Sequence, residues 1–341
     1  MLPEPAPIRE LDVREADPTA GILSDALLTS TEPVVLRGLA ARWPMVDKAR
    51  RSQQEAGAYL RRFYRGEQVL AFLGAPEMAG RYFYNDDLSG FNYAAIKAPL
   101  DKVLEELEDH KDDARPPSVY VGSTMIDHYL PGFRAENDLD LGQRVPLVSI
   151  WIGNRSRIAA HYDVPDNIAV VAAGRRRFTL FPPEQVSNLY VGPLDFTPAG
   201  QAISLVDFAK PDLQRFPRFA RAMQSALSAE LGPGDAIFIP SMWWHHIEAL
   251  EPFNALVNYW WRQSPPHMDS PASALMLALL TMRDLPPAQR SAWQELFRHY
   301  VFESDGSEAA HIAPPARRML APLDPDGARA LRIQLLNRLN R

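Results

Sequence analysis

The sequence predicts a mainly β fold with helices, built as a closed or nearly closed antiparallel barrel or jelly roll with flanking helices and an all-α C-terminal tail. Between residues 118 and 262, short runs of β-branched and aromatic residues alternate with glycine, proline, asparagine and aspartate. Short strands separated by such turn residues are typical of barrels and sandwiches. Helical periodicity lies on both sides of this segment, so we expect three regions: residues 1–116, 117–262 and 263–341.

Composition sets the first bounds on function. With 341 residues, 46% of them hydrophobic, the chain can bury a sizeable core. It has no cysteine, which excludes disulfides and thiolate metal sites. A formal net charge of −6 argues against a nucleic-acid partner, and no leader pattern or long apolar stretch indicates a membrane partner. A soluble, cytoplasmic protein is the default expectation.

The N-terminal region is predicted to contain strands and helices that pack on the barrel. Residues 32–38 are predicted to form a short strand closed by glycine, and residues 68–74 another strand. Helical spacing of apolar residues predicts helices within residues 47–64 and 99–110. An aromatic cluster, interpreted as core or lid packing, comprises Tyr82, Phe83, Tyr84 and Phe91.

The central region contains most of the predicted strands. The segment 145–152 is apolar enough to be covered on both faces. A helical pattern at residues 215–230 interrupts the run. The predicted strands are residues 119–122, 145–152, 167–173, 176–181, 203–206, 236–239, 244–249 and 255–261.

The C-terminal tail carries three amphipathic patterns, at residues 272–282, 288–301 and 327–339. The apolar residues of the first two exceed what one narrow stripe on a barrel would bury, and the loop 283–287 is short enough to make an antiparallel hairpin. We expect two such hairpins to associate around a two-fold axis as a homodimer. The alternative is that these helices cap one end of the barrel of the same chain.

The pair His161-x-Asp163, followed by a distant histidine, is the chemical signature that organises the central region. Alternation along an extended segment places His161 and Asp163 on the same side. Two imidazoles and one carboxylate on one side of a metal suit non-haem Fe(II) and its oxygen chemistry. The distant histidine is either His245 or His246, because only one of two adjacent strand residues faces the interior. Spacing alone does not choose between them.

Further motifs follow this pair in a fixed order. They are His161-Tyr162-Asp163 with Asn167, Gly174-Arg175-Arg176-Arg177 leading into Leu180-Phe181-Pro182-Pro183, Gly232-Pro233-Gly234-Asp235 with Ile239-Pro240, Trp243-Trp244-His245-His246-Ile247-Glu248, and Val257-Asn258-Tyr259-Trp260. With these motifs the chain resembles, across about residues 117–262, the cupin-like branch of the Jumonji-C family of Fe(II)- and 2-oxoglutarate-dependent oxygenases. The nearest likeness is to the asparaginyl hydroxylase that inhibits hypoxia-inducible factor, and the tail resembles the dimerisation region of that enzyme in architecture.

The resemblance implies a double-stranded β-helix core of the jelly-roll or cupin type and a set of site residues. It implies that Fe(II) is bound by His161, Asp163 and His245, which selects His245 over His246. It implies that 2-oxoglutarate, the cosubstrate, is bound by Arg176, where the family has a lysine, with Tyr120 as a partnering tyrosine. The remaining residues that it places near the metal or cosubstrate, or in the pocket wall, are Asn167, Asn258 and Trp260.

Two further features of the sequence bear on the expected cosubstrate site. They are the strand position of Arg176 and a second difference from the family. Arg176 shares parity with Phe178 and Leu180 and is expected to face the interior, whereas Arg175 and Arg177 would point outward. Arginine can grip a carboxylate through two parallel hydrogen bonds, whereas lysine acts as a point charge. The second departure is Ile158, at a position where the family has a carboxylate-binding threonine.

The resemblance implies an Fe(II)- and 2-oxoglutarate-dependent dioxygenase that hydroxylates a side chain of a protein or peptide. Because barrels of this type host many activities, two alternatives stay open. One is a non-catalytic metal-binding cupin that acts as a sensor or interaction module. The other is an oxygenase that acts on a small molecule or as a lysyl demethylase. No sequence feature identifies the substrate.

Overall fold

The computed structural model describes residues 2–13, 23–198 and 200–340. The chain divides into two compact units, Met1–Gln263 and Ser264–Arg341. The first unit contains two β-sheets and a layer of helices, and the second unit is helical. In the described part of the chain, no helix has both the length and the apolar character needed to cross a lipid bilayer.

Strands dominate the first unit. They are β1 (Ala6–Pro7), β2 (Arg9–Asp12), β3 (Val34–Arg37), β4 (Gln68–Gly74), β5 (Arg81–Tyr82), β6 (Ala94–Pro99), β7 (Ser118–Met125), β8 (Leu147–Gly153), β9 (Ser156–His161), β10 (Asp166–Ala173), β11 (Arg176–Phe181), β12 (Leu227–Leu231), β13 (Ala236–Ile239), β14 (Trp244–Ala249) and β15 (Asn254–Trp261). The helices are α1 (Asp25–Leu28), α2 (Pro44–Arg51), α3 (Gln53–Phe63), α4 (Leu100–Asp109), α5 (Ile126–Tyr129) and α6 (Phe219–Gln224).

The strands form two mixed sheets. One has six strands in the order β1-β12-β11-β14-β9-β5, and the other has nine in the order β2-β3-β13-β10-β15-β8-β7-β4-β6. Antiparallel pairing dominates both sheets, and strands that are adjacent in a sheet are often distant in sequence, as are β9 and β14. The predicted mainly β fold with helices, of the jelly-roll or cupin type, is confirmed.

Apolar clusters pack on both faces of the nine-stranded sheet. On one face, residues such as Val121 and Ile150 pack against Leu60 of α3 and Leu100 of α4. The other face packs against the six-stranded sheet through a second cluster that includes Ile237, Leu256, Phe178 and Leu180. Every residue of β10 is buried, as expected for a strand covered on both faces. The first unit is therefore layered as helices, nine-stranded sheet and six-stranded sheet.

The helical stretch predicted within residues 47–64 is two helices. Backbone at Ser52 is extended, which ends α2, and the Ser52 side chain then caps α3 by accepting a hydrogen bond from the backbone N–H of Glu55 at 3.0 Å. Serine is a favoured N-cap because its oxygen satisfies a backbone donor that the first helical turn leaves free. The spacing of the apolar residues did not reveal this boundary between two helices.

Two predicted elements of the central region are wrong. Residues 203–206 form no strand, and only Ser204 makes an isolated bridge, to Val191. The helix predicted over residues 215–230 is limited to α6, and the following residues form β12, which pairs with β11 from Leu227 to Leu231. Ladder hydrogen bonds to a strand about 50 positions earlier outweigh the local helical preference, which is a weak determinant.

The second unit contains helices at the three predicted positions. They are α7 (Pro271–Thr281), α8 (Pro287–Phe297), which continues as a π-helical turn over Arg298–Phe302, and α9 (Pro325–Leu339). Among the described residues of this unit, only Ala309 and Ala328 are buried. Its own residues therefore provide almost no hydrophobic core.

Gly174, between β10 and β11, gives a test of the fold. Its φ of +73° is in the left-handed region, and a Cβ there would lie 2.3 Å from Oδ1 of Asn254. We expect Gly174→Ala to lower the free energy of unfolding by about 1–3 kcal/mol, measured by chemical denaturation. Gly232→Ala is the control, because no atom lies within 4 Å of its Cβ position. Equal losses in the two variants would contradict this account of the turn.

Candidate metal centre

His161, Asp163 and His245 lie together between the two sheets. His161 ends β9, and the antiparallel register with β14 places His245 directly opposite it, with ring centroids 4.3 Å apart. Asp163 follows two residues later, and its Oδ2 lies 3.8 Å from Nε2 of His245. One potential ligand atom from each residue lies within 4.8 Å of the others, an arrangement that fits one metal ion. The described part of the chain contains no second such group of three.

Backbone carbonyls orient both histidines. Nδ1 of His161 lies 2.9 Å from the carbonyl oxygen of Ala159, and Nδ1 of His245 lies 2.9 Å from that of Trp243. A carbonyl oxygen can only accept, so each Nδ1 carries the proton and donates it. Each Nε2 is therefore left as a lone-pair donor for a cation, the usual arrangement of metal-binding histidines.

Side chains of the nine-stranded sheet hold Asp163. Its Oδ2 accepts hydrogen bonds from Nε1 of Trp260 at 2.9 Å and from Nδ2 of Asn167 at 3.4 Å. Oδ1 of Asn167 in turn accepts from Nδ2 of Asn258 at 2.8 Å. These three residues thus form a hydrogen-bonded support for the carboxylate, and such supports fix ligand orientation in metal sites.

Burial keeps the imidazole of His245 neutral. Its side chain is 2% exposed, and desolvation, followed by the neighbouring His161, lowers its pKa to about 4, against the opposing effect of Asp163. At neutral pH the ring is therefore unprotonated. A metal ion binds only the neutral form, so no proton has to be removed before binding.

His246 points to the other side of the six-stranded sheet. Its ring packs on Phe208 with centroids 4.5 Å apart, and burial lowers its pKa to about 3. It is not among the residues that line the cavity around His161 and Asp163. The register of β14 with β9 therefore makes the choice between His245 and His246 that spacing left open.

A cavity of about 400 Å³ contains the three candidate ligands. Both sheets contribute to its wall. Phe178 of β11 lies on one side, and Trp151 of β8 and Asn258 of β15 lie on the other. All eight residues predicted for the site line this cavity: Tyr120, His161, Asp163, Asn167, Arg176, His245, Asn258 and Trp260.

Arg176 is a buried cation in the cavity wall. It is 1% exposed, and its Nε and Nη2 atoms are buried without a hydrogen-bond partner in the described structure. Burial lowers its pKa, and the nearby Tyr120 acts in the opposite direction. An arginine nevertheless stays protonated in proteins. Its neighbours Arg175 and Arg177 are exposed and pair with Glu230.

Tyr120, from the other sheet, lies close to Arg176 in the cavity wall. Burial raises the pKa of the Tyr120 hydroxyl to about 12, although the positive charge of Arg176 lowers it. The hydroxyl is therefore neutral at physiological pH and can donate a hydrogen bond. Ile158 also lines the cavity, opposite Ile247 in the sheet, and it offers no hydrogen-bonding group there.

Several aromatic residues of the cavity wall were not predicted as site residues. They are Phe72, Tyr82, Tyr93 and Trp151. Tyr82 belongs to the aromatic cluster that was interpreted as core or lid packing, and its ring lies 5.2 Å from that of Tyr120. The cluster was visible in the sequence, but its proximity to the cavity depends on the pairing of β4 with β7 in one sheet and of β5 with β9 in the other.

Metal titration tests the two histidines separately. We expect His245→Ala or Asp163→Ala to abolish binding of a divalent metal such as Fe(II), because a triad that lacks one ligand loses both affinity and geometry. His246→Ala should retain most of the affinity, although it also removes a buried ring. Isothermal titration under anaerobic conditions measures the difference. A larger loss in His246→Ala than in His245→Ala would contradict the assignment.

Comparison with known proteins identifies the family. A family described as "Cupin-like domain" matches residues 20–267. The chain is similar to human HSPB1-associated protein 1 (31% identical over 151 residues, 42% of this chain and 30% of the relative). It is also similar to Lysine-specific demethylase 8 of Xenopus tropicalis (26% over 246 residues, 70% and 49%) and to tRNA wybutosine-synthesizing protein 5 of Danio rerio (37% over 105 residues, 31% and 29%). The alignments span less than half of these relatives' lengths. The chain belongs to the cupin-like domain family of the Jumonji-C type.

Proposed function

We propose that this protein is an Fe(II)- and 2-oxoglutarate-dependent dioxygenase that hydroxylates a side chain of a protein or peptide. The observation that carries the proposal is that Arg176 and the His161, Asp163 and His245 triad line one cavity. A metal triad alone would fit many cupin functions. A buried cation in the same cavity, with two N–H donors that have no partner in the described structure, favours a small anionic ligand beside the metal, because a buried charge without a counter-charge is costly.

The donor set fits Fe(II). Two neutral imidazole nitrogens and one carboxylate oxygen, all on one side, form the facial set that non-haem Fe(II) oxygenases use. Three ligands leave further coordination positions open for a cosubstrate and O2. Trp260 and Asn167 would hold Asp163 in place during these exchanges, since both donate to its Oδ2.

The anion site fits the distal carboxylate of 2-oxoglutarate. Arg176 has two buried donors without partners, Nε and Nη2, and adjacent guanidinium donors can bind both oxygens of one carboxylate. The neutral hydroxyl of Tyr120 can add a third hydrogen bond. Because arginine offers two directed donors where lysine offers a point charge, the site does not depend on a hydroxyl at position 158.

When bound, Fe(II) and 2-oxoglutarate would supply the oxidation, in which one atom of O2 becomes the hydroxyl of the product and the other enters succinate as CO2 is released. The chain's residues would hold the metal through the triad and the cosubstrate through Arg176 and Tyr120. Aromatic side chains of the wall, such as Trp151 and Tyr82, would keep water away from the reacting atoms.

Substitution of Arg176 tests the cosubstrate site. We expect Arg176→Ala to weaken 2-oxoglutarate binding at least a hundredfold, because loss of one partner of a buried ion pair costs about 3–5 kcal/mol. Metal affinity should stay nearly unchanged, and Arg176→Lys should bind more tightly than Arg176→Ala. Anaerobic titration of the iron-loaded protein measures both affinities. Arg177→Ala is the matched control, since its side chain is exposed on the same strand.

Turnover of 2-oxoglutarate distinguishes an enzyme from a non-catalytic binding module. The iron-loaded protein should convert 2-oxoglutarate to succinate and CO2 slowly even without a substrate, and Arg176→Ala and His245→Ala should not. Tight cosubstrate binding without turnover, also in the presence of cell extract, would instead favour a sensor. Unaltered cosubstrate affinity in Arg176→Ala would remove Arg176 from the site.

We also propose that the C-terminal unit forms a homodimer. Helix α7 contains no charged residue and none of its residues is buried, although a helix that is apolar all round is normally buried. The covering surface that we propose is a second copy, because a two-fold dimer joins two such incomplete cores into one. Exposed hydrophobic residues lie on all three helices: Leu275, Met276, Leu280, Trp293, Leu296, Ile333, Leu335, Leu336 and Leu339.

Light scattering tests the dimer. We expect a mass near twice the 38.3 kDa of one chain at micromolar concentration, whereas a mass near 38.3 kDa would contradict the proposal. Leu280→Arg combined with Leu296→Arg should split the dimer, because both side chains are exposed in a single chain and an unpaired charge is costly to bury. The control is Val186→Arg, an exposed site in the first unit that should leave the mass unchanged.

A further inference from the structure

We infer that the side chain that enters the cavity is uncharged, and that apolar residues beside it dock on a strip of exposed hydrophobic side chains next to the cavity. This inference rests on the proposed function and narrows its substrate to a neutral, apolar peptide segment. The strip consists of Leu70, Met125 and Leu147, on the neighbouring strands β4, β7 and β8.

The charges of the cavity wall exclude a cationic side chain. Among the described lining residues, Asp163 and Arg176 are the only aspartate, glutamate, lysine or arginine side chains. Asp163 belongs to the metal triad and already accepts hydrogen bonds from Trp260 and Asn167. A lysine or arginine of a substrate would therefore be buried without a free counter-charge, since the described wall offers no carboxylate besides Asp163. Such burial is unfavourable, and a neutral side chain avoids it.

The aromatic rings of the cavity wall pack on one another. Tyr93 lies edge-on to Phe72 at 5.2 Å and to Tyr82 at 5.4 Å, and Tyr120 stacks on Trp151 at 5.8 Å. Such a wall provides apolar contact for a neutral side chain.

The strip is continuous with the cavity on one face of the nine-stranded sheet. Leu147 pairs directly with Trp260, which lines the cavity. Met125 pairs with Ser149, whose other neighbour is Asn258, also in the cavity wall. Directly opposed residues of antiparallel strands lie on the same face. Leu70 is itself part of the cavity lining.

The side chains of the strip are exposed and therefore accessible to a peptide. Leu70, Met125 and Leu147 are 46%, 49% and 48% exposed, although they share a sheet face with buried residues such as Asn258. Scattered exposed hydrophobic residues are common, but three on neighbouring strands beside a reaction cavity form a contact surface. The residue opposite Leu70 in β6 is Lys97, so the charge next to the strip also disfavours a cationic neighbour.

Two synthetic peptide pools test the inference. Both carry leucine, valine and methionine on each side of the central position, which is a mixture of neutral residues in one pool and of lysine and arginine in the other. Fluorescence anisotropy of the labelled pools measures binding to the Fe(II)-loaded protein under anaerobic conditions, with and without 2-oxoglutarate. We expect the neutral pool to bind at least tenfold more tightly, although the net charge of −6 attracts the cationic pool.

Leu147→Asp should weaken binding of the neutral pool at least tenfold, whereas Val186→Asp, at a similarly exposed site on a different segment, should not. Equal or tighter binding of the cationic pool would overturn the charge argument. An unchanged affinity in Leu147→Asp, or no binding of either pool, would overturn the docking strip. Cosubstrate titration is read separately, so that a failure of 2-oxoglutarate to bind counts against the proposed function and leaves the peptide measurement interpretable.

Discussion

The antiparallel register between β9 and β14 is the constraint on which the candidate metal centre depends. It places His245 opposite His161, and Asp163 follows two residues after the end of β9. A shift of one residue would turn His246 toward the cavity and His245 toward Phe208, because successive strand residues face opposite sides. On the other side of β14, the pairing with β11 runs without a shift, with Phe178 opposite Ile247 and Leu180 opposite His245. Phe178 and Leu180 are buried in the core between the sheets, so this pairing helps to fix which face of β14 carries His245.

The two faces of the nine-stranded sheet have different roles. The nine-stranded sheet buries one face against helices and contributes residues of the other face, such as Asn258 and Trp260, to the cavity. Support for the Asp163 carboxylate thus comes from a different sheet than the two histidines. A metal site built across two packed sheets keeps its ligands fixed, since each is held by backbone or by hydrogen bonds from rigid strands.

The cavity combines features that are unfavourable for folding alone. Arg176 is buried with donors that have no partner, and the imidazole of His245 is desolvated beside another histidine. Buried polar groups are normally paired, so groups left unpaired in a cavity indicate a ligand that completes them. The proposals for the exposed Leu70, Met125 and Leu147 and for helix α7 follow the same reasoning, since these apolar side chains are exposed in a single chain.

The sequence by itself determined the fold class, the family motifs and the residue types of the site, because alternation and turn residues are local properties that a strand or turn expresses wherever it lies. Strand parity predicted that Arg176 faces the interior, and its side chain lines the cavity. The family resemblance selected His245 over His246, and the tertiary structure shows the physical reason, since His245 pairs with His161. Only the tertiary structure decided that Leu227–Leu231 is a strand and that Tyr93 and Trp151 reach the cavity wall. These outcomes depend on pairing between segments that are distant in sequence, and the hydrogen bonds and buried area gained there outweigh local preference.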